Sequence, residues 1–92
     1  MPEPRYRAAA PTALGIETLG GLTAVFDRRS AQTHLMAPPL PEILVAMGEG
    51  DWDAGALAAR LGEMFDIGDT DPVAIVVERL TELESLGLVS RA

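Results

Sequence analysis

The chain has 92 residues, enough for one small domain, and its core must be aliphatic because hydrophobic residues make up 48% of it and aromatic residues only 4%. Fourteen acidic residues against seven arginines and no lysine give a net charge of −7, which argues against nucleic acid as a partner. Without cysteine there is neither a disulfide nor a cysteine zinc site, and without a signal-like start or about 20 consecutive apolar residues we expect a cytoplasmic protein with no membrane partner.

The first 12 residues contain three prolines and a run of alanines beside Arg5, Tyr6 and Arg7. This composition predicts a flexible N-terminal arm over residues 1–12, extended and partly ordered. Tyr6 either packs on the domain or is exposed to solvent. Residues 13–92 show no internal repeat and no linker, so we expect them to form a single domain.

Two strands and a hairpin are predicted at the start of that domain. Leu14–Leu19 alternates, and Leu22–Phe26 is rich in residues that favour strands. Gly20-Gly21 between them is typical of a two-residue hairpin turn.

A third strand is predicted after the polar turn at 27–30. It runs from Thr33 to Met36, and it ends at Pro38-Pro39 because proline donates no ladder hydrogen bond. Consecutive hairpins form a three-stranded antiparallel meander, which places this strand at an edge of the sheet.

Three helices are predicted in the second half of the chain, at about 39–47, 54–65 and 72–86. Gly48-Glu49-Gly50 ends the first helix, and Asp51 or Asp53 caps the second. Trp52 is expected to close over the core as a hydrophobic staple. Gly68-Asp69-Thr70-Asp71-Pro72 predicts a loop leading into the third helix, whose main apolar stripe is Val73, Val76, Val77, Leu80 and Leu83.

The segment from Phe26 to Met36, read as Phe-Asp-Arg-Arg-Ser-Ala-Gln-Thr-His-Leu-Met, resembles a pattern of PqqD-like proteins. That pattern is an aromatic residue, Asp, two variable residues, Ser-Gly-x-Thr-His-x-Leu. The most similar subgroup is the PqqD-type peptide chaperone of the HPr-related system. The resemblance covers about 14–91, with Ala31 where the family usually has Gly and Ala37 where it usually has Asn.

The predicted elements give an α+β fold, in which a three-stranded antiparallel meander is followed by three helices, and the last two helices with the tail at 86–91 resemble a winged-helix unit. The resemblance to PqqD-like proteins implies a non-catalytic domain that binds the leader segment of a ribosomally made precursor peptide and presents it to a peptide-modifying enzyme. The leader is held as an added strand between the third strand and the third helix.

On this hypothesis the peptide-binding residues lie on the third strand and the third helix. The helix residues have a competing interpretation as ordinary core, most strongly for Val76 and Leu80. The strand contributes Gln32, Thr33, His34, Leu35 and Met36, and the helix contributes Val73, Val76, Val77 and Leu80.

The sequence predicts no catalytic residue, no metal site and no cofactor. His34 is the sole histidine of the chain, and a strand histidine is more often packed or surface-exposed than catalytic. Asp66, Asp69 and Asp71 lack the downstream glutamate of a calcium loop, so capping and turn formation explain them better.

Two other functions stay open at this point. The first is a winged-helix DNA-binding regulator, which the acidic third helix disfavours, since it offers Arg79 against Glu78, Glu82 and Glu84. The second is a dimerising scaffold protein, in which the exposed strand pairs with its own copy in a homodimer.

Overall fold

The computed structural model describes residues 3–65 and 71–92, which form two three-stranded antiparallel sheets and three helices. The strands are β1 (Arg5–Ala8), β2 (Leu14–Leu19), β3 (Leu22–Asp27), β4 (Gln32–Met36), β5 (Asp51–Asp53) and β6 (Val89–Arg91), and the helices are α1 (Leu40–Met47), α2 (Ala54–Met64) and α3 (Pro72–Ser85). The order along the sheets is β5-β1-β6 and β2-β3-β4.

The predicted α+β class is confirmed, with an antiparallel meander followed by three helices. The hairpin between β2 and β3 turns at Gly20, whose φ of +63° is the left-handed conformation that glycine adopts freely. Ala31, in the turn before β4, has a φ of +59°. An alanine there carries a local strain that a glycine would avoid.

The predicted N-terminal arm is corrected by the structure, since β1 is the central strand of the second sheet. Tyr6 lies opposite Trp52 of β5 on one side and opposite Arg91 of β6 on the other. Only 5% of Tyr6 is exposed, and Ala8 is buried beside it. A period of two, with alternate side chains buried, makes this segment a strand despite its neighbouring prolines.

The helix ends follow the predicted capping chemistry. Asp53 Oδ1 accepts a hydrogen bond from the backbone N–H of Ala56 at 2.8 Å, and Asp71 Oδ1 accepts one from that of Ala74 at 3.2 Å. Trp52 lies in β5 rather than in a simple staple, and its indole N–H donates to the Met47 carbonyl at 2.7 Å. Residues 68–70 of the loop predicted at 68–72, and the aspartates at 66 and 69, lie outside the described residues.

One buried aliphatic cluster joins the meander to the helices and to the second sheet. The meander contributes Leu14, Val25 and Met36, and the second sheet contributes Tyr6, Ala8 and Val89. The helical members of this cluster include Ile43, Leu44, Met47, Leu57, Leu61, Val76, Leu80 and Leu83.

No helix in the described part of the chain is long and apolar enough to cross a bilayer.

Candidate functional site

The strand β4 lies at an edge of the meander, as predicted, and pairs with β3 on one side. The pair Asp27/Gln32 lies at the turn that joins β3 to β4. Within this turn the Ala31 N–H donates to the Asp27 carbonyl at 2.8 Å. Because hydrogen-bonded and non-bonded pairs alternate in antiparallel sheets, Gln32, His34 and Met36 bond to β3. The backbone N–H and C=O groups of Thr33 and Leu35 therefore point away from the sheet.

This outward side of β4 is open. Within residues 3–65 and 71–92, β3 is the element whose backbone lies alongside β4. The helix α3 packs mainly on α2, β6 and α1. An uncovered row of backbone donors and acceptors is a template for one more strand.

The four edge strands of the described chain differ in charge. Proteins commonly protect such edges with charged side chains. The strand β2 carries Glu17, β5 carries Asp51 and Asp53, and β6 carries Arg91. Since β4 has no aspartate, glutamate, lysine or arginine, it is the edge that resists pairing least.

The side chains of β4 divide between its two faces. Thr33 and Leu35 project to solvent, with Leu35 64% exposed, while Met36 is buried and His34 is half-buried. Gln32 is exposed at the start of the strand. The buried Nε2 atom of His34 has no hydrogen-bond partner within the described residues.

The four predicted helix residues also divide, which corrects the proposed groove wall. Val76 and Leu80 are completely buried in the core, so a bound peptide has no direct access to either side chain. Val73 and Val77 are 42% and 43% exposed and remain available. The central apolar stripe of α3 faces the core. Tertiary packing, rather than the spacing of apolar residues in the sequence, determines which members of the stripe are buried.

A charged contact joins the turn before β4 to the end of α3. Arg29 donates from Nη2 to the Gly87 carbonyl at 2.9 Å, and the same guanidinium bonds both carboxylate oxygens of Asp27 at 2.9 Å. Asp27 Oδ1 also accepts the Arg29 backbone N–H at 2.9 Å. This network fixes where β4 begins relative to α3, and the sequence pattern gave no indication of it.

The network changes the acid–base behaviour of Asp27, which is only 4% exposed. Hydrogen bonds from the Arg29 side chain, opposed by desolvation, lower the pKa of Asp27 to about 2. A folded-state pKa below the unfolded value of about 3.9 means that this carboxylate stabilises the fold fully above about pH 4. That stabilisation is lost as the pH falls toward 2.

Asp27→Asn should therefore lower the urea midpoint at pH 7 and flatten its fall between about pH 4 and pH 2. The amide cannot carry the charge that the Arg29 guanidinium pairs with. Glu63→Gln, a change at an exposed position of α2, is the control and should leave the slope unchanged. An Asp27→Asn curve parallel to the wild-type curve would show that this pair does not titrate with folding.

One face of the meander is apolar and exposed, which the sequence did not reveal because the leucines on it alternate as core residues do. By the strand register, the side chains facing away from the core include Leu19, Leu22, Ala24, Phe26 and Leu35. We call these five residues the outer face. Its four large side chains are 37% to 64% exposed, so described parts of the chain do not cover it.

Charge is distributed unevenly between the two halves of the molecule. Residues 14–36 hold two acids and two arginines and are neutral, whereas residues 37–92 hold eleven acids and three arginines. The meander thus presents an open edge and an apolar face within a segment that has no net charge.

Comparison with protein-family models, with curated proteins and with solved structures gave no match to this chain.

Proposed function

We propose that this protein is a peptide-binding chaperone that holds an extended peptide as an added strand on β4. The single observation that carries the proposal is the open, uncharged outward edge at Thr33 and Leu35. Strand addition needs such an edge together with neighbouring apolar positions that select side chains. Leu35 on the strand is one such position, and Val73 and Val77 are the two members of the predicted helix wall that are exposed.

Stable binding of a peptide requires both main-chain hydrogen bonds and side-chain contacts. Thr33 and Leu35 offer four backbone groups, and hydrogen bonds to them are worth roughly 0.5–1.5 kcal/mol each. Ordering a flexible segment costs roughly 2–5 kcal/mol or more. Main-chain pairing therefore comes close to balance, and the peptide needs apolar side chains that pack beside β4 to bind stably.

The nature of the peptide follows from the resemblance to PqqD-like proteins. We propose that it is the leader segment of a ribosomally made precursor, which the chaperone presents to a peptide-modifying enzyme in the cytoplasm. The protein itself would then perform no chemistry. The motif at Ser30, Thr33 and His34 supports this proposal because it lies in and just before the open strand.

DNA binding is less well supported. A recognition helix gains affinity by neutralising phosphates. In α3, Arg79 lies 3.0 Å from Glu82 and 3.3 Å from Glu78, and these two acids offset the positive charge that would attract a phosphate. Glu84 on the same helix adds further negative charge.

The test is amide hydrogen exchange of the full chain, with the leader segments of short reading frames beside its gene as probes. In the free protein, the amides of Thr33 and Leu35 should exchange fast and that of His34 slowly, since only His34 bonds to β3. Peptide binding should protect Thr33 and Leu35. Scrambled peptides of the same composition are the control, and protection confined to other strands would place the site elsewhere.

A further inference from the structure

The outer face carries a matched pair of opposite charges beside its apolar side chains. Glu17 lies on this face because it pairs with Ala24 in the register. Arg28 follows β3, and its Nη2 atom lies 3.5 Å from the point where a Cβ on Gly15 would stand, on the same side of the sheet. Within the described residues neither side chain forms an ion pair.

We propose that the outer faces of two copies of this chain pack on each other in a two-fold symmetric dimer. A two-fold axis running across the strands, between the levels of Ala24 and Phe26, sets Phe26 of each copy over Ala24 of the other. The same axis brings Glu17 of each copy to Arg28 of the other. In this arrangement a large side chain packs on a small one, and a carboxylate pairs with a guanidinium, as a self-complementary surface requires.

The charge distribution favours a second copy of this chain as the partner that covers the outer face. Two molecules of net charge −7 repel each other, but the segment that forms the contact, residues 14–36, has no net charge. The outer face is the surface where large apolar side chains concentrate on this neutral segment. Sheets stacked about 10 Å apart would bury Phe26 and Leu35 between them.

The contact area of the proposed dimer is small. A three-stranded sheet of this size would bury on the order of 1,000 Å² in total, near the lower limit for specific association. Small interfaces are typical of weak and transient association, so we expect a reversible dimer. The β4 edges lie at the sides of the sandwich and stay open, so this proposal does not depend on peptide binding, and both states can bind a guest strand.

The test is sedimentation velocity of the full chain over a wide range of concentrations. Wild type should shift from monomer to dimer as concentration rises. Phe26→Ser, and separately Glu17→Arg, should each weaken the dimer at least tenfold. The double change Glu17→Arg with Arg28→Glu should restore the wild-type constant to within about threefold, because it exchanges the two charges across the axis.

Matched controls separate this surface from others. Val45→Thr changes an exposed apolar residue of α1, 49% exposed, and should leave dimerisation unchanged. Circular dichroism verifies that each variant is folded. A chain that stays monomeric at millimolar concentration overturns the proposal. So does a dimer that is weakened by Leu35→Pro but not by Phe26→Ser, since that pattern indicates pairing of β4 edges.

Discussion

Leu35→Pro should weaken peptide binding strongly while the domain stays folded. The Leu35 N–H points away from β3, so proline at this position removes no hydrogen bond of the native ladder. It removes one donor for the guest strand, and its ring obstructs the approach of the guest backbone. We expect affinity for a leader peptide to fall at least tenfold, equivalent to about 1.4 kcal/mol.

The matched control is the neighbouring residue on the same strand. His34→Pro removes an N–H that bonds to β3, so it should destabilise the domain instead. Isothermal titration measures the affinity, and urea unfolding measures the stability of both variants. Leader binding by Leu35→Pro at the wild-type affinity would exclude strand addition at β4.

Tyr6→Ala should cost about 3 kcal/mol of unfolding free energy, a value typical of removing a buried aromatic ring. Tyr6 is 5% exposed, and its ring lies 5.5 Å from the guanidinium carbon of Arg91. For a domain of this size the midpoint of thermal unfolding should fall by roughly 10–20 °C. The loss reflects the position of β1 between β5 and β6.

Thr12→Ala is the control for this effect, because Thr12 lies in the same predicted arm but is exposed. It should change the free energy of unfolding by less than about 0.5 kcal/mol. Differential scanning calorimetry compares the two variants with wild type. Equal midpoints for Tyr6→Ala and Thr12→Ala would mean that residues 5–8 contribute no more than a loose arm does.

The parts of the fold that sequence predicts well are those with local signals. A two-glycine turn between alternating strands identifies the first hairpin, and apolar spacing with aspartate caps identifies α2 and α3. The edge position of β4 follows from the same logic, since a meander leaves its last strand unpaired on one side. Each of these signals lies within a few residues of the structure it determines.

The second sheet has no such signal. Its strands β5 and β6 have three residues each, and β1 has four beside proline and alanine. Such short segments show too little periodicity to be distinguished from loops. Their pairing links Tyr6 with Trp52 and Arg91, and this long-range choice is made by the folded core.

The candidate site was predictable as a strand but not as a groove. The pattern of α3 gives one apolar stripe, and it cannot tell Val76, which is buried, from Val77, which is exposed. That division depends on which elements pack against the helix. The outer face was missed for the converse reason, because Leu22 and Phe26 alternate like core residues although no described element covers them.

The central position of β1 has a kinetic consequence. Its two neighbours come from the middle and the far end of the chain, and the Tyr6–Arg91 pair joins almost the first and the last described residues. Contacts between such distant residues close a large loop, which slows their formation during folding. We therefore expect the meander and the helices to form early during folding, and the sheet of β1, β5 and β6 to form last.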